Sequence, residues 1–456
     1  MLTPEHGVAE RIEETSTAGA RALLPALIVG SLTVAFVLAK TGRDALFFQG
    51  RGLLQLPAAY INIGLGSLPL ALIFVKAMKV WGARPARIGV TLLAAVGMAA
   101  FVPFLEPGAD TVLLAFFIFV PAIFGIVFAS GWLLASDIFE NTPKNKAARA
   151  FSRIGASSLA GGMIGGILAK ALSPYLDPKW LVLLAAGIAA GAAGIIGHTH
   201  ARFPSNWAGK DKPGFRRVSL AATFSTNYAR SLLVISLLGA FAGLLIDFQF
   251  YAAAASARMG ARGSANFFAN FYILLNLGSL LLQLYATPWI QDRIGLRGGL
   301  MVLPLALIGG ATFVTAAATA LSRSVLRVTE GGLRSSVHRS IWEQAFIPVD
   351  APERSFVKLV VDGIGARFGE IIAAGAVLIW LSNVAPGGVL PMALDVGWMA
   401  WLTLAVVVVW LLVTQRLRVQ VRQEISPKPA ARDEGLDCVR FPDQCPCTTE
   451  LGKGIG

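Results

Sequence analysis

Ionisable residues inside apolar stretches are the part of this chain that could do chemistry. One long apolar run contains Lys40, Arg43 and Asp44 and then continues as Ala-Leu-Phe-Phe. Spacings of three and four residues place these side chains on one face of a helix. A charge within a membrane helix is costly, so such residues usually face a cavity and mark a transport path. We interpret the cluster as a binding or gating site; a pair reaching the membrane interface is the alternative.

A second set of charges recurs at steps of three or four residues in a later apolar segment: Arg327, Glu330, Arg334 and His338. Such steps line up on one helical face. Gly331–Gly332 predicts an interruption near the middle of this helix, where substrate could approach closely. Arg339 and Glu343 are expected to form a second pair. The pattern favours an acid–base pair lining a water-filled cavity over a purely structural ion-pair network.

Two more segments carry isolated charges. Arg367 lies about halfway along an apolar stretch, three residues before Glu370. It could bind substrate, or it could form a structural salt bridge with Glu370. Asp247, in a different stretch, could carry a proton or pair with Lys40 or Arg43, and the sequence does not choose between these roles.

Several basic side chains would make such a cavity rich in cations. The candidate substrate-binding residues are Lys40, Arg43, Arg334 and Arg367. The candidate coupling or gating residues within the apolar segments are Asp44, Asp247, Glu330, His338 and Glu370. Guanidinium groups bind carboxylate and phosphate through paired hydrogen bonds. A small anionic solute is therefore the predicted partner, unless the neighbouring acids neutralise the arginines.

The composition is typical of an all-α membrane protein. Charged residues make up 14% of the chain and mean hydropathy is +0.66, whereas a soluble domain carries about 25% charged residues. Apolar stretches of about 20 residues cross a bilayer as helices, because helices satisfy every backbone polar group internally. Twelve transmembrane helices are predicted, at about 22–48, 57–79, 86–105, 111–136, 153–173, 180–197, 231–255, 267–290, 298–320, 324–346, 356–381 and 392–414.

The two halves of the chain resemble each other. The motif that begins Tyr60-Ile61 and ends Leu-Gly-Ser-Leu recurs from Tyr272-Ile273 with the same spacing. Three other short matches recur in the same order, which indicates a duplicated unit. We therefore predict two pseudo-repeated six-helix bundles, as in carriers that rock one half against the other. The predicted organisation is a cytoplasmic N-terminal segment, an N-terminal bundle, a cytoplasmic linker loop, a C-terminal bundle and a polar cytoplasmic tail, at 1–21, 22–197, 198–230, 231–418 and 419–456.

The net charge of +13 is distributed as expected for a membrane protein. Basic residues cluster in alternate loops, and the loop at 104–110 contains none. The positive-inside rule then predicts that both termini lie in the cytoplasm. We expect the protein to lie in a cytoplasmic (inner) membrane, with membrane lipids as its surroundings. The first 20 residues lack the pattern of a cleaved signal peptide. Nucleic-acid binding is not expected, because no binding motif accompanies the charge.

Enzymatic motifs are not found. The sequence has no nucleophile elbow, zinc-protease, phosphate-loop or dinucleotide-binding pattern in a suitable context, so an enzyme and a bound cofactor are not expected. Three cysteines share the C-terminal tail: Cys438, Cys445 and Cys447. They lack a fourth ligand, so we expect free thiols and no metal site. His198 and His200 are expected to form a surface pair.

A short charged motif, Asp292-Arg293-Ile-Gly-Leu-Arg, follows the predicted eighth helix. It resembles the D-R-x-G-x-R core of a loop signature in the major facilitator superfamily of carriers, with Pro288 in place of the leading glycine of that signature. The resemblance implies that Asp292 and Arg293 latch helix ends together in one carrier state. Twelve spans in two halves match that fold over nearly the whole chain.

Two further short motifs are Arg43-Asp44-Ala-Leu and the segment from Lys146 to Gly155. The first resembles the K-D-x-L stretch of the ATP/ADP translocase-like (nucleotide transporter) family within that superfamily. The second resembles the E-A-K-R-F-Y stretch of the same family, with Lys146 replacing the acid. The resemblance implies a secondary active transporter, an antiporter of nucleotides or other phosphorylated metabolites, working by alternating access. The alternative is a non-transporting major facilitator-like membrane assembly or pigment-handling factor.

Overall fold

Twelve helices account for nearly all of the chain that the computed structural model describes, which comprises residues 4–49, 52–106, 108–139, 144–203, 226–257, 259–346, 349, 357–384 and 397–424. The helices of the first half are α1 (Pro4–Phe47), α2 (Gly52–Trp81), α3 (Ala83–Phe101), α4 (Asp110–Ile138), α5 (Lys144–Leu172) and α6 (Pro178–Arg202).

Three helices of the second half contain a π-helical turn. The six helices are α7 (Asn227–Ser256), α8 (Ala261–Leu281, a π-helical turn Leu282–Ala286, then Thr287–Arg293), α9 (Gly295–Ala316), α10 (Ala320–Leu333, a π-helical turn Arg334–His338, then Arg339–Gln344), α11 (a π-helical turn Leu359–Gly365, then Ala366–Val384) and α12 (Gly397–Glu424).

The predicted all-α membrane architecture is confirmed. Eleven of these helices are long and apolar enough to cross a membrane. Helix α10 is the exception, since its regular α-helical part has 14 residues and carries Arg323, Arg327 and Glu330. Helix α1 begins at Pro4, so the segment before residue 22 is largely helical. Residues 204–225 of the predicted linker and 425–456 of the predicted tail lie outside the described residues, as do the three tail cysteines Cys438, Cys445 and Cys447.

Each half packs around its own first helix. Helix α1 contacts α4, α5 and α6, and α7 contacts α10, α11 and α12. The halves meet chiefly where α5 packs on α8 and where α2 packs on α11. Helix α1 also contacts α8, and α7 also contacts α2, so the first helix of each half lies at the interface between the halves.

Glycines let α5 fit between α1 and α8. Gly161 and Gly165 face α1, and a Cβ on Gly161 would overlap a backbone carbonyl of that helix. Gly162 and Gly166 face α8, where a Cβ on Gly166 would lie 2.7 Å from an isoleucine side chain. Small residues allow membrane helices to approach closely. One glycine pair therefore sets the spacing of α5 from α1 within the first half, and the other sets the spacing between the two halves.

Apolar packing joins the halves at one end of the molecule. We call the end where α1 and α7 terminate the distal end, and the opposite end the proximal end. One core cluster contains Phe48 and Phe117 of the first half together with Tyr251 and Phe268 of the second. Proximally, the first half has a separate cluster around Phe139, and the second half has another that spans α7, α9, α10 and α12. The described core is thus continuous distally and divided proximally.

Candidate functional site

A first polar network surrounds Asp44 near the distal end. Arg43 donates from Nε and Nη2 to Asp44 Oδ1 at 2.8 and 2.6 Å, and its guanidinium lies 3.9 Å from the ring centre of Phe117. Tyr251 and Tyr272, both from the second half, donate their hydroxyls to Asp44 Oδ2 at 3.1 and 2.7 Å. Arg43 and Asp44 are both buried. This carboxylate therefore joins the two halves.

A second network is centred on α7 and α10. Tyr60 of the first half donates its hydroxyl to Asp247 Oδ2 at 2.8 Å. Arg327 forms ion pairs with Asp247 and Glu330, and Arg334 also pairs with Glu330. Arg334 donates in addition to a backbone carbonyl of α7 at 2.8 Å, and its side chain is 37% exposed. Asp247 thus pairs with an arginine of its own half, not with either basic residue of α1.

The tyrosines of the two networks are related by the internal repeat. Tyr60 and Tyr272 are the first residues of the duplicated motif, on α2 and α8. Each donates to an aspartate on the first helix of the opposite half: Tyr60 to Asp247 on α7, and Tyr272 to Asp44 on α1. The two hydrogen bonds form a reciprocal pair across the interface, which we call the tyrosine latch.

Aromatic rings surround the Asp44 end of this latch. Phe48 stacks on Tyr251 with ring centres 4.3 Å apart, and Phe47 stacks on Phe117 at the same distance. A cavity of about 410 Å³ lies beside this layer and is lined in part by Phe48, Gln49, Ala254 and Phe268. Rings from both halves therefore separate this distal cavity from the charged networks.

Lys40 lies between the two networks. Its Nζ is 4.9 Å from the ring centre of Tyr272 and 6.0 Å from that of Phe36. It interacts electrostatically with both Asp44 and Asp247. In the described part of the chain, no carboxylate comes close enough to form an ion pair with it. Lys40 is therefore a cation without a salt-bridge partner among the residues described.

Arg367 and Glu370 form a separate pair on α11. Their side chains are 2.7 Å apart, and that of Arg367 is 40% exposed. The backbone of Arg367 lies beside Gly64 of α2, at the contact between the halves. The geometry includes the salt bridge expected from the sequence and leaves part of the guanidinium accessible.

His338, at the end of the π-helical turn of α10, packs against aromatic rings. Its ring is buried, stacks on Trp342 with centres 5.6 Å apart and meets the edge of Trp410 of α12 at 5.9 Å. Within the described structure its Nδ1 has no hydrogen-bond partner. The local surroundings of His338 are thus aromatic.

The sequence prediction for α10 is wrong in two details. Gly331–Gly332 does not interrupt the helix; the departure from α-helical geometry is the π-helical turn at Arg334–His338. Such turns occur frequently at functional sites. Glu343 pairs with Lys358, just before α11, instead of with Arg339. A contact between helices thus replaces the predicted contact within one helix.

A buried cluster at the proximal end of the first half was missed. Arg87 of α3 donates to Asp137 of α4 at 2.7 Å, and its Nη1 lies 3.3 Å from Nε2 of His200 of α6. Arg87 and His200 are buried, so the prediction that His200 lies on the surface is wrong. Arg87 stands one turn into an apolar helix, so the sequence offers no sign of its partners.

The loop signature spans the end of α8 and the start of α9. Arg293 is exposed, and Asp292 lies in the last turn of the helix with its side chain outside the described residues. Gly295 has a φ of 69°, a conformation that favours glycine. Among the described residues, no group of three or more histidines, cysteines and acids could hold a metal ion.

Solved structures of membrane transporters share this fold. A mutant of the nucleoside transporter NupG matches with a TM-score of 0.65 at 12% identity, covering 87% of this chain and 99% of that one. The POT family transporter PepTSo matches with a TM-score of 0.61 at 12% identity over 87% and 98%. An auto-inhibited POT family peptide transporter matches with a TM-score of 0.57 at 13% identity over 88% and 97%.

The similarity extends to the fold and not to the sequence. No protein-family model and no curated protein matches the sequence. The shared architecture agrees with the all-helical, twelve-helix fold expected from the sequence.

Proposed function

We propose that the protein is a secondary active transporter that moves a small anionic solute across the cytoplasmic membrane by alternating access. The observation that carries the proposal is the set of charges between the two halves, where Lys40 has no ion-pair partner among the described residues and Arg334 is partly exposed. Ionisable groups at this depth are expensive and are usually retained for a transport path. The similarity to transporter structures supports the same function.

In this proposal Lys40 and Arg334 are the main anchors of the anion, with Arg367 as a third basic group at the interface. Arg334 shares its guanidinium between Glu330 and a backbone carbonyl, so one side remains for a carboxylate or phosphate oxygen. Arg43 is engaged by Asp44 and Phe117 in this conformation. We assign it to closure of the distal end, together with Asp44.

The tyrosine latch gives alternating access a physical basis. Opening the distal end requires Tyr272 and Tyr251 to leave Asp44, and Phe48 to separate from Tyr251. With both termini in the cytoplasm, the distal end faces outward, so this conformation is closed to the outside. The loop at Asp292 and Arg293 is proposed to latch the proximal end in the opposite state.

The solute and the mode of exchange are proposed from resemblance. The ATP/ADP translocase-like motifs favour antiport of a nucleotide or other phosphorylated metabolite, and a similar structure is that of a nucleoside transporter. Asp247, Glu330, Glu370 and His338 are the groups available to couple transport to a second ion. Their positions beside the basic anchors support this role.

Purified protein reconstituted into liposomes tests the function. Vesicles loaded with an unlabelled metabolite mixture should take up a labelled anion from the same mixture against its gradient. A Lys40→Gln, Arg334→Gln double variant should show background uptake while eluting normally on size exclusion. Absence of flux for every solute, combined with stoichiometric copurification of a partner protein, would instead support an assembly factor.

A further inference from the structure

We propose that the solute carries a single negative charge when it is transported and that this charge pairs with Lys40. The inference rests on the proposed function and narrows its substrate class. The assignment is to organic monoanions, so within the anionic solutes it replaces the nucleotides and other phosphorylated metabolites that the motif resemblance favours, because these carry more than one negative charge near neutral pH.

The charges between the halves balance except at Lys40. Every carboxylate of the candidate site has an arginine partner in the described structure. The pairs are Arg43 with Asp44, Arg327 with Asp247, Arg334 with Glu330, and Arg367 with Glu370. Lys40 is the remaining charge. One positive charge is therefore left for a solute, because each guanidinium is already neutralised by an acid beside it.

An uncompensated charge in a poorly solvated space is unfavourable unless it is paired. A monoanion beside Lys40 would bring the net charge of the site to zero. A dianion would leave one extra negative charge next to Asp44 and Asp247, which already interact with Lys40. It could be accommodated only by separating an arginine from its acid. We therefore expect the site to discriminate between solutes by their charge more strongly than by their size.

The walls around Lys40 favour an organic body. Its Nζ lies 4.9 Å from the ring centre of Tyr272 and 6.0 Å from that of Phe36. Phe36 is held on its other sides by Phe124 and Phe128, with ring centres 5.3 and 5.6 Å away. A planar or apolar group attached to the anion would contact these fixed rings. A small inorganic anion would not contact these rings.

Matched probes separate charge from shape. The full-length protein in nanodiscs is heated with benzoate or terephthalate, with nicotinate or quinolinate, and with adenosine or AMP; binding to the folded state raises the melting temperature. We expect benzoate or nicotinate to stabilise the protein and the dianion of the same pair to have no effect. Lys40→Gln should weaken monoanion binding by about 30-fold or more, because a buried charge loses its partner. Lys40→Arg should retain binding.

A second variant changes the number of free charges. Glu370→Gln releases Arg367, so we expect it to gain binding of terephthalate or quinolinate. Lys170→Gln, at an exposed site at the end of α5, is the control and should behave like wild type.

Two sets of results would overturn the assignment. One is stabilisation of the wild type by the dianions or AMP, whether or not the monoanions also stabilise it. The other is no stabilisation by any monoanion, or monoanion binding that survives in Lys40→Gln. In either case, flux of any solute in liposomes would leave the transporter function standing, whereas absence of all flux would reject that function itself.

Discussion

Two tyrosine hydroxyls join charged residues of opposite halves. Tyr60 and Tyr272 occupy equivalent positions in the repeat, and each donates to an aspartate of the other half. A hydrogen bond to a charged group contributes about 1.5–3 kcal/mol. The latch is therefore strong enough to bias the distal end toward closure and weak enough to be broken in a transport cycle.

Removing either hydroxyl should favour distal opening. In Tyr272→Phe or Tyr60→Phe the ring stays and the hydrogen bond is lost, so we expect about tenfold faster labelling from the distal side at Ala254→Cys. The measurement is the rate of reaction with a membrane-impermeant maleimide, in a background with the tail cysteines changed to serine. Tyr285→Phe, at a tyrosine 73% exposed, is the control. Equal rates in all three variants would reject the latch.

Arg334 and Arg367 can be distinguished by charge-preserving substitution. Arg334→Ala and Arg367→Ala should each abolish anion uptake while expression stays largely intact, and the corresponding lysine variants should recover only part of it, because lysine lacks the paired donors. Uptake by liposomes is compared with melting temperature for each variant. If Arg367→Ala keeps its activity and loses stability, Arg367 is a structural partner of Glu370, and only the α10 charges bind the solute.

At the scale of the element, α5 and α10 both depart from uniform apolar helices. Helix α5 presents one pair of glycines to α1 and the other to α8, so a single helix sets two interfaces. Helix α10 changes from α-helical to π-helical geometry at Arg334. In each case the departure lies where the halves or their charges approach one another.

Enlarging a glycine on α5 should separate elements selectively. Gly161→Val pushes against the α1 backbone and should cost about 1–3 kcal/mol, seen as a lower melting temperature. Gly166→Val presses on α8 and should slow transport as well, because it lies between the halves. Gly187→Val on α6, with open space around it, is the control. A melting temperature for Gly161→Val equal to that of the control would contradict this packing.

At the scale of the whole molecule, the core is shared between the halves distally and divided proximally. Separating the halves at the distal end would expose apolar surface to water, and each Å² exposed costs about 25 cal/mol of free energy. The same end carries the tyrosine latch. Apolar packing and polar contacts therefore favour the same closed end in this conformation.

The orientation that loop charge predicts can be measured. Lys79 lies in the last turn of α2, at the proximal end, and Glu106 lies just after α3, at the distal end. By the positive-inside rule, cysteine at 79 should react only from the cytoplasm and cysteine at 106 only from outside. Labelling of intact and opened cells with an impermeant maleimide gives the sides. Reaction of both positions in intact cells would refute the topology.

The sequence by itself determined the number of helices, the two-half architecture and the residues that carry intramembrane charge. Apolar length and the repeat are local properties that can be counted along the chain. The repeat shows that Tyr60 and Tyr272 occupy equivalent positions, but the sequence does not indicate which residues accept their hydrogen bonds.

Only the tertiary structure decided the partners. Asp247 pairs with Arg327 and not with a basic residue of α1, Glu343 pairs with Lys358, and His200 is buried against Arg87. Partners on different helices depend on the rotation and depth of each helix, which follow from packing against neighbours. For the same reason the unpaired state of Lys40 appears only when every neighbouring acid has been matched to its arginine.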